Sequence, residues 1–318
     1  MESAIEEAVP RGVPSTLCRL IHEYARMPEF RPSRRLLDCR GQVRSIIAFR
    51  IGGLPALALD CTGTVTIVSP ASTYTLQVPE WFKHSCGAAD MLFGYDARSP
   101  VCLLFAWTLR LDSEDKIRVK NYSTQWADLA LRGVTRVCAM TLDACDPTVL
   151  CVVVEMQNPG CQRRFLAVQR RRAGTLGLLE EMTPRAFSPT DSVLRAAARG
   201  DTVLVSRPDA LLVFVRGATN ALTFPFDEWI TDGPPSFSPT PVFTDFAEAL
   251  VFLPRHVLLW SGGHLSCSRR DRSAGSHHVA RDPYSGTVFA LSTSDPQHRL
   301  WWLPAVGDTR LVSELWRF

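Results

Sequence analysis

From residue 42 to the C-terminus, short β-strand signals follow one another almost without a break, and they recur in groups that look alike. The clearest group is residues 201–206 (Asp-Thr-Val-Leu-Val-Ser), 210–216 (Ala-Leu-Leu-Val-Phe-Val-Arg) and 220–226 (Asn-Ala-Leu-Thr-Phe-Pro-Phe), separated by Arg-Pro-Asp and Gly-Ala-Thr turns. Strands that each pair with the next along the chain leave sheet edges that have to be hidden, and radial repetition as a β-propeller hides them at this length. The same strands would also build a β-sandwich or a pair of barrels. The propeller is preferred because the groups repeat at about 45 residues, the length of a four-stranded blade.

The expected fold is therefore all-β, a β-propeller of about six four-stranded blades with a short N-terminal helical segment. Residues 1–35 read as a leader, an amphipathic helix and a linker, and 36–318 as the propeller. The first blade is expected at 44–50, 56–61, 64–69 and 74–79, the second at 90–95, 101–109, 116–122 and 126–131, and the third at 137–142, 149–156, 164–169 and 175–180. The fourth covers 192–226 and opens on the less β-like run Val-Leu-Arg-Ala-Ala-Ala-Arg. The fifth holds 249–253, 256–260 and 264–268, and the last 287–291, 299–303 and 310–315. The Pro-rich 233–241 and the Arg- and Ser-rich 268–276 read as loops, and ring closure calls for an early strand such as 36–39.

At 318 residues and 46% hydrophobic, the chain is long enough to bury a large core. A net charge of +3 makes no global case for nucleic acid or a membrane surface as partner. Lysine occurs only at Lys83, Lys116 and Lys120, a bias that reads as gene composition rather than as a site. The acidic start lacks a secretory signal and no apolar run suits a bilayer span, so the expected location is cytoplasmic or nuclear. The ten cysteines are scattered, without Cys-x-x-Cys, and read as reduced, buried small hydrophobes; no metal and no cofactor is expected.

Residues 13–26 carry the one helical pattern, with Pro14 in the first turn and Val13, Leu17, Leu20, Ile21 and Tyr24 on one stripe. That run, opening on Val13-Pro14, resembles the first helix of an F-box. The resemblance implies docking on a Skp1-like adaptor of ubiquitin ligases; the remainder of an F-box does not follow, because the chain turns proline- and arginine-rich at Pro28. A helix that caps the propeller is the other reading. Residues 256–261, His-Val-Leu-Leu-Trp-Ser, resemble the third strand of a WD40 blade, with serine where the aspartate of that family usually stands.

No nucleophile elbow, Walker loop or dinucleotide fingerprint is present. Residues 261–264, Ser-Gly-Gly-His, read as a hairpin turn, and His277-His278 as a solvated loop. Asp60, Asp143, Asp209, Asp245 and Asp282 lie near strand ends in different groups, where turns favour aspartate without any site. Of the basic clusters, Arg163-Arg164, Arg170–Arg172 and Arg269-Arg270 with Arg272, the second reads as hairpin-end charge and the third as an acidic-partner or phosphate-binding loop. The first functional expectation is a non-enzymatic protein-interaction module, a scaffold or F-box-like substrate adaptor that binds a protein partner through Leu17, Leu20, Ile21 and Tyr24. The alternative is a propeller enzyme with a carboxylate/His site in the central funnel.

Overall fold

The computed structural model describes residues 43–69, 72–98, 102–125, 133–157, 163–187, 194–226, 229, 239–243, 248–253, 256–270, 277–284, 286, 288–292 and 300–303. All of them belong to the unit Arg34–Phe318. They form twenty-four strands and, among the described residues, no helix, so none long and apolar enough to cross a membrane. The expected helix, with Leu17, Leu20, Ile21 and Tyr24, the closing strand at 36–39 and the strand at 310–315 lie outside the described residues.

The first blade is Val43–Ile51, Leu54–Cys61, Thr64–Val68 and Thr73–Gln77 (β1–β4), and the second Phe82–Ala88, Met91–Asp96, Leu104–Leu111 and Ile117–Gln125 (β5–β8). The third is Val134–Leu142, Val149–Gln157, Arg164–Arg172, Leu178–Glu181 and the two-residue Ala186–Phe187 (β9–β13). The fourth is Arg195–Arg199, Thr202–Ser206, Ala210–Val215 and Leu222–Pro225 (β14–β17). Thr240–Phe243, Ala249–Phe252, His256–Ser261 and His264–Arg270 (β18–β21) make the fifth, and His277–Arg281, Val288–Ser292 and Leu300–Leu303 (β22–β24) the sixth.

Each blade is an antiparallel meander in chain order, and the first strand of every blade neighbours the first strand of the next. β22 in turn neighbours β1, so six inner strands close a ring around a central channel. The all-β propeller expected from the sequence is the fold, with six blades among the described residues. Its hairpins close as the turn chemistry predicts: Gly52 and Gly53 join β1 to β2 at φ of 58° and 80°, a conformation open to glycine at little cost. Gly262-Gly263 likewise join β20 to β21, as expected.

The core lies between blades. Ile47, Phe49 and Ile67 of the first pack on Leu92 and Leu109 of the second. Phe93 and Tyr95 meet Met140 and Val152, and Val153 meets Val203 and Phe214. Leu211 and Val213 of the fourth blade meet Val251 and Trp260 of the fifth, and Val242 meets Val279 of the sixth. A middle strand is thus covered on both faces, which is why β10 is an unbroken buried run, Val-Leu-Cys-Val-Val-Val-Glu-Met, rather than an alternation. Each buried aliphatic side chain contributes about 1.5–3 kcal/mol, so blade-to-blade packing dominates stability.

Several expected boundaries need correction. β5, β18 and β22 are inner strands where the sequence reading placed a gap, the end of a Pro-rich loop and a solvated histidine pair. The second blade therefore begins one strand earlier than expected. Arg269 and Arg270 close β21, their backbone paired with Val257 and His256 of β20, so the expected loop begins later; Arg272 lies outside the described residues.

Candidate functional site

An inner strand spends one edge on the second strand of its blade and turns the other toward the channel, so its carbonyls there must find donors. At the end of the channel where the inner strands begin, side chains supply them. Ser45 Oγ donates to His84 O at 2.9 Å, Tyr95 Oη to Cys138 O at 2.8 Å, and Arg44 Nη2 to Phe82 O at 2.7 Å. Arg195, the first residue of β14, donates through Nη2 to the carbonyl of Arg44 on β1, crossing the channel from the fourth blade to the first.

Four consecutive blades place a cation here: Arg44 on β1, Lys83 on β5, Arg136 on β9 and Arg195 on β14. They influence one another. Burial pulls the Lys83 ammonium below its ordinary value, and Arg195, Arg44 and Arg136 add to the effect against the opposing pull of Asp60. Burial likewise lowers Arg195, with Arg44 reinforcing it and Tyr95 and Asp60 opposing it. Arg195 keeps part of its surface open to a cavity of about 120 Å³ lined also by Ser45, Ser85, Met140, Val242 and His278.

Two carboxylates face these four cations, and both are already engaged. Asp60, 1% exposed, accepts at Oδ1 from Arg44 Nη2 at 3.0 Å and from His84 Nδ1 at 3.1 Å. Trp107 Nε1 donates to His84 Nε2 at 3.2 Å, and because indole can only donate, the network assigns the imidazole proton to Nδ1. Glu155, also 1% exposed, binds Arg136 Nη2 and Arg164 Nη1, each at 3.2 Å. With Arg164, which shares Glu155, five cations stand against two carboxylates, a formal excess of three positive charges among these described residues. Lys83 Nζ makes no ion pair or hydrogen bond with a described residue, and Arg44 Nε is buried without a partner.

Other chemistry in the ring is closed off. Burial pushes the Cys138 thiol up to about 11 and that of Cys151 up to about 12, and raises Cys86 further, so none supplies a thiolate near neutral pH. No group of three or more His, Cys, Asp or Glu suited to a metal occurs among the described residues.

The aspartates singled out in the sequence do not converge. Asp60 sits at the cationic mouth, whereas Asp143 and Asp282 follow the far ends of β9 and β22. Asp143 accepts from Arg170 at 3.2 Å and from two backbone amides, and Asp282 faces Arg50 at 3.6 Å. Asp209 pairs with Arg207 at the surface, and Asp245 lies outside the described residues. All three buried ones are structural partners of arginine, a stronger role than the turn residues expected. The Arg170–Arg172 run does end β11, with Arg172 exposed, but Arg171 is fully buried and donates to Gln169 and to the Leu176 carbonyl, so it is not hairpin-end charge. Sequence reasoning missed Arg44, Arg136 and Arg195 altogether and recorded Lys83 only as one of three lysines. The available signal was a basic residue near the start of each of the first four inner strands.

No family model and no curated protein matches the chain. Among solved structures it is similar to a gluconolactonase of Xanthomonas campestris, at 13% identity over 83% of this chain and 87% of that one, with a TM-score of 0.48. It is also similar to Hsv2 of Kluyveromyces lactis (10% identity, 84% and 75% covered, TM-score 0.42) and to AztD of Citrobacter koseri (11%, 73% and 73%, 0.36). Six blades are established by the strand pairing itself, independently of these likenesses. The expectation of an F-box-like adaptor is corrected: no F-box or WD40 model matches, and the aligned structures are a gluconolactonase, Hsv2 and AztD. His256–Ser261 is the third strand of its blade, but nothing further ties it to the WD40 family. The funnel alternative has its carboxylate and histidine in Asp60 and His84, both held inside the wall, while Arg195 lines the channel cavity.

Proposed function

We propose that the protein is a small-molecule-binding propeller that takes an anionic ligand, bearing a carboxylate or a phosphate, into the cationic mouth of its central channel. The observation that carries this reading is Arg195, which lines the channel cavity and reaches across to the Arg44 carbonyl, with Arg44, Lys83 and Arg136 near the starts of the neighbouring inner strands. Assembling four cations in a partly dewatered space is unfavourable unless an anion joins them, and a bound anion removes that penalty. Pockets of this kind orient a ligand through a few convergent polar groups in an otherwise apolar lining, here Met140, Val242 and Ala197.

Titration calorimetry of the full chain with phosphate and with short mono- and dicarboxylates tests this. Binding should weaken with ionic strength, and Arg195→Gln should lower affinity about ten- to hundred-fold, the worth of one charged hydrogen bond. Binding that ignores both salt and Arg195→Gln refutes the site.

A further inference from the structure

Of the four mouth cations, Arg195 alone lines the cavity. Its side chain reaches from β14 to the Arg44 carbonyl on the opposite blade, and this is the hydrogen bond it makes among the described residues. Most of its N–H donors are left without a described partner, and no described carboxylate is paired with it. From Arg195 the cavity follows the inner strands toward their far ends, where Asp143, Ala144 and Pro283 line it. Along β14 it takes in residues 194–198, about 13 Å at about 3.3 Å per residue. Its volume is about 120 Å³. A water-sized group needs about 10–15 Å³ of such space, so about eight to twelve fit, in single file over that length. Between the two ends the wall is apolar, with Val242 and Phe243 from the fifth blade and Val279 and Ala280 from the sixth. Asp143 and Arg281 line the far end with opposite charges, so the cavity is cationic at the Arg195 end alone.

We propose that the cavity takes an unbranched aliphatic monocarboxylate of about four to eight carbons, its carboxylate on Arg195 and its chain along the apolar wall of the fifth and sixth blades. The proposal rests on the reading of this mouth as an anion site and narrows the guest to one class. A nucleotide or a ring-bearing acid is too wide for a single-file space. A second charge on the guest, as in a dicarboxylate, would lie against apolar wall with no excess of cations to meet it. The carboxylate supplies what Arg195 lacks, a charged acceptor for its remaining N–H groups. Each methylene that leaves water for this wall strengthens binding, and a branch has nowhere to go. Binding is reversible and changes no covalent bond.

The test is titration calorimetry of the full-length chain with acetate, butyrate, hexanoate and octanoate. Two controls match hexanoate in size: tert-butylacetate, its branched isomer, and hexanamide, which lacks the charge. Affinity should rise about four-fold per methylene from acetate to hexanoate, the worth of taking a CH₂ group out of water. Both controls should bind on the order of ten-fold more weakly than hexanoate, one for its width and the other for its missing charge. Hexanoate and phosphate should exclude each other, because both need Arg195. Arg195→Gln should weaken every acid and leave the gain per methylene unchanged. Phosphate binding that depends on Arg195, with no gain along the acid series or with hexanoate bound beside phosphate, overturns the chain site and leaves the anion site standing. Equal binding of tert-butylacetate and hexanoate overturns the single-file cavity. Hexanoate and hexanamide binding alike, both indifferent to Arg195→Gln, overturns the anion site itself.

Discussion

Replacing Asp60 by asparagine isolates the electrostatics of the channel mouth, because the side chain keeps its shape and loses only its charge. The carboxylate is 1% exposed and sits 3.0 Å from Arg44 Nη2. An ion pair at that separation is worth about 5 kcal/mol gross at an effective dielectric of 20. The amide oxygen retains a neutral hydrogen bond worth about 1 kcal/mol. Arg44, Lys83, Arg136 and Arg195 are left with Glu155 as the one remaining carboxylate, so repulsion among them is less offset. The expected loss is about 3–5 kcal/mol, the range for breaking a buried pair from one side. Urea unfolding of the full chain at low ionic strength reads it directly. The same titration with added sulfate distinguishes the mechanism, since a bound anion restores the missing negative charge. Sulfate stabilises most proteins by exclusion, so the informative quantity is the extra gain of Asp60→Asn over wild type. A variant as stable as wild type, or one that gains no more from sulfate than wild type does, refutes the coupled cluster.

Two further substitutions probe the same wall. Gly94 of β6 leaves no room for a side chain: an added Cβ would lie 2.5 Å from the Lys83 carbonyl and 2.5 Å from Phe105 Cζ. Gly94→Ala should therefore destabilise by about 1–3 kcal/mol in chemical denaturation, and a neutral result would mean that the Phe105 ring is not wedged against this strand. Lys83→Met tests the lysine's depressed pKa. Between that lowered value and the ordinary 10.5, the unfolded chain binds the extra proton, so wild-type stability rises with pH across the window. The methionine variant should flatten that alkaline rise and raise Tm near neutral pH by about 2–4 °C, and a lower neutral Tm or a steeper rise would refute the assignment.

How much of this was legible in the sequence depended on which strand of a blade was read. Middle strands such as β10, sandwiched between neighbouring blades, are almost wholly apolar and fell where expected. Inner strands border the channel as well as the core, and their sequences are mixed: Phe-Lys-His-Ser-Cys-Gly-Ala in β5, Thr-Pro-Val-Phe in β18, His-His-Val-Ala-Arg in β22. Those three were lost to gaps and loops. Pro241 is tolerated in β18 because one edge of an inner strand has no ladder to complete. The site went unseen because Arg44 and Arg136 stand at the edges of strands recognised by their apolar pattern, Lys83 lies in the missed β5, and Arg195 in the less β-like opening of the fourth blade. Asp60 was noticed, but a turn-end aspartate and a buried counter-ion are the same letter in one dimension. Their difference lies in Arg44 and His84, which reach Asp60 from two different blades.

The ring repeats six times, yet its charge does not. The inner strands of the first four blades each carry a cation near their start, Arg44, Lys83, Arg136 and Arg195, while those of the fifth and sixth start on Thr240 and His277. The described mouth is therefore a dipole lying across the propeller axis. A guest with one anionic end would be held like a compass needle over the ring, its charged end toward the first four blades and its neutral end toward the last two. Discrimination between guests would then fall to the fifth and sixth blades, which touch the part of the molecule that differs from one acid to the next.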